Sequence, residues 1–323
     1  ECTLKAQEFG SRFEPPKSFI KNVLKTGIQD EVMAPSKVRE EKELKKTDGA
    51  KKSKITGIPK LDDANWAGTV KSSKTTLIIT EGDSAKTLAI AGLSIVGRDR
   101  YGVFPLRGKC KNVRDASAKQ LMDNEEFNNL KKILGLQQGK VYSSVNELRY
   151  GKLMIMTDAD NDGSHIKGLV LNIFHYFWPS LLEIGFVICM VTPIVKATKG
   201  KQQKWFFTDS AFRADGSSKP GSGWKCKYYK GLGTSTSVEA KEYFKSIEKL
   251  TVGFEVDEET DDSVVLAFDK TKADARKLWL TKNSSGHEEI KYGSINSLTV
   301  TKFIHNDLVD FSLADVKRSI AHM

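Results

Sequence analysis

The 323-residue chain has only four cysteines, Cys2, Cys110, Cys189 and Cys226, far apart and without a CxxC pair. That speaks against a structural zinc site and supplies no disulfide framework, which suits a reducing intracellular compartment. Long apolar runs are also lacking. The most apolar stretch, residues 184–195, is interrupted by Gly185 and Pro193 and is too short to span a bilayer, so no membrane partner is expected. No GxxxxGK[ST] loop occurs, so ATP binding is not supported within these residues. A lone GxG at Gly231 and Gly233 carries little weight, and no internal repeat is visible.

What is present is charge. Lys and Arg number 51 against 41 Asp and Glu, a formal net charge of +10. A basic balance favours a polyanionic partner, although alone it is weak support for one. The length allows two compact domains, or one domain with appendages. The chain opens on Glu1 and stops at Met323, so it reads as a piece of a longer protein.

Residues 1–74 are the least regular. A short helix is expected around Ser18–Leu24, and the EEKELKK region suggests an exposed helix held by i,i+4 charge pairs and ended by Gly49. GIPKLDDANWAG (57–68) reads as a linker. At Thr75 the pattern changes. TTLIIT (75–80), KLMIMT (152–157) and FVICMV (186–191) read as buried strands, YGVFPLRG (101–108) as an extended piece, and VVLAF (264–268) as a late strand. Helices are expected from the residues after Glu81, over 116–134 and over 164–182. This order predicts an α/β fold with a largely parallel central sheet. Ligands in such sheets gather at the carboxyl ends of the strands.

Both acidic elements fall at such ends. Glu81 follows TTLIIT, and Asp158, Asp160 and Asp162 follow KLMIMT. If the backbone stayed extended, the three alternating aspartates would present their carboxylates to one side. Like charges so close need a cation, and hard oxygen ligands suit one or two Mg²⁺ ions. A solvated acidic turn is the bland reading. DADNDG also matches half of a calcium-binding EF-hand loop, but its twelfth position is Leu169 rather than Glu. A phosphoryl-transfer aspartate stays open on the acids alone. Gly82 and Gly163 would permit tight turns, and Ser84 and Ser164 would cap the following helices.

The segment 97–119 holds Arg107, Lys109 and Lys111 among seven basic residues, and KCKYYKGLGTSTS (225–237) holds Lys230. These are candidates for phosphate contacts; a charged solvated loop is the alternative. Lys230 and the two nearby glycines could equally brace the acidic centre. His165 lies one turn into the helix after the acids and would more naturally hydrogen-bond a carboxylate or a DNA phosphate than ligate a metal.

Four segments, EGDSAKTLAIAGL (81–93), PLRGKCKNVRDAS (105–117), IMTDADNDGSHIKGL (155–169) and YYKGLGTSTSVEAKEYF (228–244), resemble the eukaryotic-type type IIA DNA topoisomerases, in that family's order. The resemblance implies a Rossmann-like TOPRIM fold spanning 75–292 with insertions, preceded by the end of a transducer domain with a long charged helix (1–52) and a linker (53–74). Residues 293–323 would be the C-terminal extension that leads into a winged-helix domain. It also implies that Glu81, Asp158 and Asp160 are the principal Mg²⁺ ligands, that Asp162 assists, and that Arg107, Lys109, Lys111, His165 and Lys230 lie along double-stranded DNA. Members of that family are ATP-dependent homodimers that break one duplex, pass another through and reseal the first. A nuclear location is then expected, or cytoplasmic replication sites for a viral source. The family's tyrosine nucleophile and its ATP pocket have no counterpart in these residues, so this stretch alone is expected to be inactive. A TOPRIM-type nuclease and a non-catalytic DNA-binding TOPRIM module are the alternatives.

Overall fold

The computed structural model describes residues 15–26, 28–219 and 221–321. Among them are nine strands: β1 (Thr76–Glu81), β2 (Tyr101–Leu106), β3 (Lys152–Met156), β4 (Val187–Met190), β5 (Val195–Lys199), β6 (Gln202–Phe206), β7 (Lys225–Tyr228), β8 (Thr251–Glu255) and β9 (Ser297–Thr299). The six-stranded sheet runs β2-β1-β3-β4-β8-β9, and a separate three-stranded sheet runs β6-β5-β7. The pairs β1–β2, β1–β3, β3–β4 and β8–β9 are parallel, and only β4–β8 is antiparallel in the larger sheet. The predicted α/β fold with a largely parallel sheet is therefore observed.

The central strands are apolar throughout because both faces are covered, as parallel sheets require. Leu77 and Ile79 of β1 join one core cluster with Phe104, Leu153 and Ile155; Ile78 joins the opposite one with Val103, Met154 and Met156. Helices Glu125–Leu134 and Asn161–Phe177 cover the first face through Leu130, Ile133, Ile166 and Val170. Helices Gly82–Val96 and Ser237–Lys245 cover the second through Ala85, Leu88, Ala89 and Phe244. No described helix is long and apolar enough to cross a membrane.

Several expectations are corrected. VVLAF is not a strand but the end of helix Thr260–Phe268. Its buried positions are Thr260, Ser263, Val264 and Phe268, the spacing of one helix face, and Asp261 and Asp262 favour a helix start in its first turn. A five-residue apolar run cannot distinguish these cases by itself. Residues 116–134 form two helices, Ala118–Met122 and Glu125–Leu134, because Asn124 caps the second by accepting from the Phe127 N–H at 2.8 Å. Residues 164–182 are likewise interrupted: Asn161–Phe177 ends before Pro179, whose ring cannot continue it. At the N-terminus, helix Lys17–Lys25 lies where the helical pattern placed it, while the charged helix spans Ile28–Lys45, beginning well before EEKELKK and ending before Gly49.

Segment 53–74 is folded onto the sheet edge. The Asp62 N–H donates to the Val103 carbonyl at 2.9 Å and the Val103 N–H returns to the Asp62 carbonyl at 2.8 Å. Ala64 and Ala67 are buried. Fully buried Arg149 reaches Asp63 at 2.5 Å and donates to the Ile133 carbonyl at 2.7 Å. Fully buried Lys131 donates to the Leu44 carbonyl and pairs with Asp48, both at 2.8 Å. These cations fasten residues 44–63 to helix Glu125–Leu134, where apolar contacts alone would leave the segment free to slide.

Candidate metal centre

Strands β1 and β3 are neighbours in parallel register, with Thr80 opposite Met156. Their carboxyl ends therefore coincide, and Glu81 stands beside the turn that carries Asp158 and Asp160. Gly82 has φ of 77°, a left-handed conformation that lets the chain leave β1 and enter its helix at once. Gly163 is not a turn residue: it lies in the helix, and a Cβ there would come within 2.1 Å of the Asp158 carbonyl oxygen.

The backbone does not stay extended through the three aspartates. Helix Asn161–Phe177 begins between Asp160 and Asp162, so the three carboxylates take three roles. Asp158 Oδ1 accepts from the Leu232 N–H at 2.7 Å. Asp160 is the helix N-cap and accepts from the Gly163 N–H at 2.8 Å, the part expected of Ser164. Asp162 lies in the first turn, paired with Lys109 at 2.7 Å and near Arg318 at 3.8 Å. Ser84 also sits inside its helix, which starts at Gly82 after Glu81 without a side-chain cap.

The electrostatics tie these acids together. The Glu81 carboxyl is pushed up, first by burial and then by the charges of Asp158 and Asp160, with a smaller contribution from Asp162. Its Oε2 is buried with no hydrogen-bond partner among the described residues. An orphaned carboxylate oxygen facing two further carboxylates is the arrangement that a divalent cation relieves. Among the described residues, no group of three or more His, Cys, Asp or Glu side chains is arranged to hold a metal ion by itself. Mg²⁺ keeps several waters and needs only one or two carboxylates, so partly committed acids such as Asp158 and Asp160 suffice.

Asp162 differs from Glu81. Its carboxyl is held below the usual range, chiefly by the hydrogen bond from Lys109. Lys109 also stands 4.8 Å from the Phe311 ring centroid. His165 stacks on that same ring, with centroids 3.9 Å apart and planes 20° from parallel. Burial, then the Lys109 charge, push the His165 imidazole down to about 4, so it is neutral at pH 7. Arg107 is exposed, and among the described residues its side chain pairs with Glu125 at 3.4 Å. Lys111 and Lys230 are exposed.

The KGLGTST segment braces the acidic centre. Besides the Leu232 N–H bond, Gly231 packs so closely that a Cβ there would fall 2.2 Å from Asp158 Oδ2. Behind it, Thr236 and Glu239 form a reciprocal capping box that starts helix Ser237–Lys245. Glu239 also accepts from Tyr229 at 2.6 Å and from Lys227 at 2.8 Å. Sequence reasoning passed over Glu239, although the T-x-x-E spacing at 236–239 signals such a box. It also passed over Arg318 and Phe311, in a tail whose motifs are weak and whose relation to Asp162 and His165 exists only in the fold.

Two family models match adjacent stretches: the Toprim domain over residues 76–189 and the C-terminal associated domain of TOPRIM over residues 190–316. The chain carries a Toprim domain followed by its C-terminal associated domain. Its Toprim part contains all four acids, and the associated domain supplies the Leu232 brace. The chain is 49% identical over 99% of its length to the probable DNA topoisomerase 2 of Dictyostelium discoideum, covering 21% of that protein. It is 49% identical over 99% of its length to the DNA topoisomerase 2-alpha of Mus musculus, covering 22% of it. The chain thus spans about a fifth of the length of these curated relatives. The crystal structure of the Plasmodium falciparum topoisomerase II DNA-binding, cleavage and re-ligation domain matches with a TM-score of 0.79 and 50% identity, covering 83% of this chain and 37% of that one.

Proposed function

We propose that this Toprim region is the Mg²⁺-holding part of an ATP-dependent type II DNA topoisomerase, which breaks one duplex, passes a second through and reseals the first. The observation that carries the reading is the buried, unpartnered Oε2 of Glu81, facing Asp158 and Asp160 at adjoining strand ends. Similarity to proteins named DNA topoisomerase 2 selects this chemistry over other uses of a Toprim centre.

Glu81, Asp158 and Asp160 would hold the ion, and Asp162 would share in a second position once released by Lys109. When bound, Mg²⁺ supplies charge neutralisation for a phosphodiester undergoing transfer. The chain's own residues do the rest. The Leu232 N–H fixes the Asp158 rotamer, and Gly163 fixes Asp160. Arg107, Lys109, Lys111 and Lys230 would lie along the phosphates of double-stranded DNA and set its register. His165, neutral and stacked under Phe311, would offer a hydrogen bond to a backbone oxygen rather than a charge. Transfer needs a nucleophile, a tyrosine in the topoisomerase reading, supplied from outside these residues.

In the same reading, residues 1–52 belong to the transducer end of an ATPase region, 53–74 link it to the Toprim unit of 75–292, and 293–323 lead toward a winged-helix domain. The whole protein would act as a nuclear homodimer. The test is calorimetric Mg²⁺ titration of the chain and of its Glu81→Gln and Asp158→Asn variants, together with plasmid relaxation by the full-length protein. Wild-type uptake lost in both variants, with ATP-dependent relaxation, supports the reading. Absence of uptake sinks it, and nicking without relaxation points to a nuclease instead.

A further inference from the structure

A cavity of about 230 Å³ is lined in part by Asp160. Its base is Lys167, only 6% exposed, whose side chain lines the space without a hydrogen bond or ion pair among the described residues. A cation carried on a largely buried side chain is stabilised by opposite charge nearby. Five carboxylates line the same cavity: Asp160, Asp209, Glu289, Asp307 and Asp310.

Two of these five lie beside a basic side chain, and a third accepts from a hydroxyl. Asp209 pairs with Arg213 at 2.5 Å, Asp310 lies 3.3 Å from His287, and Glu289 accepts from the Ser210 hydroxyl. Asp307 accepts only from the neutral Tyr292 hydroxyl, at 2.6 Å, and Asp160 only from the Gly163 N–H. Burial pushes the Asp307 carboxyl up, and the Lys167 charge is the largest influence opposing it. Asp307 therefore feels the Lys167 charge, and Asp160 lines the same cavity as both.

Helix geometry puts Lys167 in range of Asp160. Asp160 caps the helix seven residues earlier, about 10 Å down the axis and within roughly 20° of the same face. Helical side chains lean toward the N-terminus, and a lysine stem closes much of that gap.

Resting on the Mg²⁺ reading above, we propose that Lys167 is a positioning residue of the cation site: it is the resident counter-ion of Asp160 and Asp307, and it weakens divalent-cation binding at Asp160. Asp307 in turn draws the ammonium away from Asp160. The pair sets how tightly the ion is held, without touching it.

The sign of the effect separates this role from a structural one, because damage to packing lowers cation affinity. Mg²⁺ titration by calorimetry, with the Mg²⁺-induced rise in Tm as a second readout, is carried out on the full chain and three variants. Lys167→Met is expected to bind Mg²⁺ about tenfold more tightly, the scale of one nearby charge removed in a partly solvated site. Lys167→Arg keeps the charge and should match wild type. Asp307→Asn keeps the Tyr292 hydrogen bond but leaves Lys167 to Asp160 alone, so Mg²⁺ should bind several-fold more weakly, and this arm remains decisive if Lys167→Met does not fold. Unchanged or weakened affinity in folded Lys167→Met, or unchanged affinity in Asp307→Asn, overturns the proposal while leaving the Mg²⁺ reading intact. A wild-type chain that takes up no Mg²⁺ overturns both.

Discussion

Asp158 Oδ1 accepts a hydrogen bond from the Leu232 N–H at 2.7 Å, across 74 residues of chain. The carboxylate proposed to hold an ion is therefore also part of the scaffold. Asn at this position keeps an acceptor and removes a charge that repels Glu81 and Asp160; Ala removes both. In metal-free buffer, Asp158→Ala should be less stable than Asp158→Asn by about 1–3 kcal/mol, the cost of leaving a polar group unpaired. Urea denaturation measures the difference. Equal stability of the two variants would mean that the Leu232 contact contributes nothing.

Gly231 tests the brace from the other side. Its φ of −172° is open to any residue, so Gly231→Ala meets no backbone strain. The added methyl must displace the Asp158 carboxylate. A loss of Mg²⁺ affinity of at least about tenfold is expected, with a stability cost of about 1–3 kcal/mol from overpacking. Wild-type affinity in this variant would show that the Asp158 rotamer is unimportant for the ion.

Among the described residues, Arg107 pairs with exposed Glu125, and both side chains are well solvated. Such a pair adds little to stability. Arg107→Ala should leave the urea midpoint nearly unchanged while weakening DNA binding and lowering the salt slope of log K by about 1, as expected for one lost phosphate contact. Fluorescence anisotropy over a salt series reads this out, and an unaltered slope removes Arg107 from the phosphate path.

Glu239 gives a pH prediction. Burial opposes its ionisation, but hydrogen bonds from Lys227, Thr236 and Tyr229 outweigh that and hold its carboxyl at about 2, below an ordinary value of 4.5. The folded state thus favours the ionised form. Its contribution is complete above about pH 4.5 and is lost as pH falls toward 2. Wild type should lose more stability between pH 5 and pH 3 than Glu239→Gln. Parallel pH profiles for the two proteins would refute the assignment.

Much of the fold was legible because the central strands are fully buried. TTLIIT and KLMIMT are apolar on both faces and suit a covered parallel strand, and the helices that follow each of them fit the same α/β order. The smaller sheet was not legible. QQKWF and KCKY are half solvated and owe their strand state to partners across the sheet. VVLAF misled because its neighbours Thr260 and Ser263, rather than its own apolar residues, complete the helix face. In the site, the acids were visible as a cluster, but their division of labour was not. It depends on the helix starting at Asn161, on Lys109 reaching Asp162, and on the Leu232 N–H, where the sequence offered the 230–233 segment only as one possible brace.

That long-range contact also has a consequence during synthesis. A ribosome makes Glu81 and the aspartates well before it makes Leu232. Until the associated domain emerges and returns across the sheet, Asp158 lacks its brace. A partly made chain would then carry the acids without the geometry, and cation-dependent protection against proteolysis would mark the moment at which the nascent chain has closed on itself.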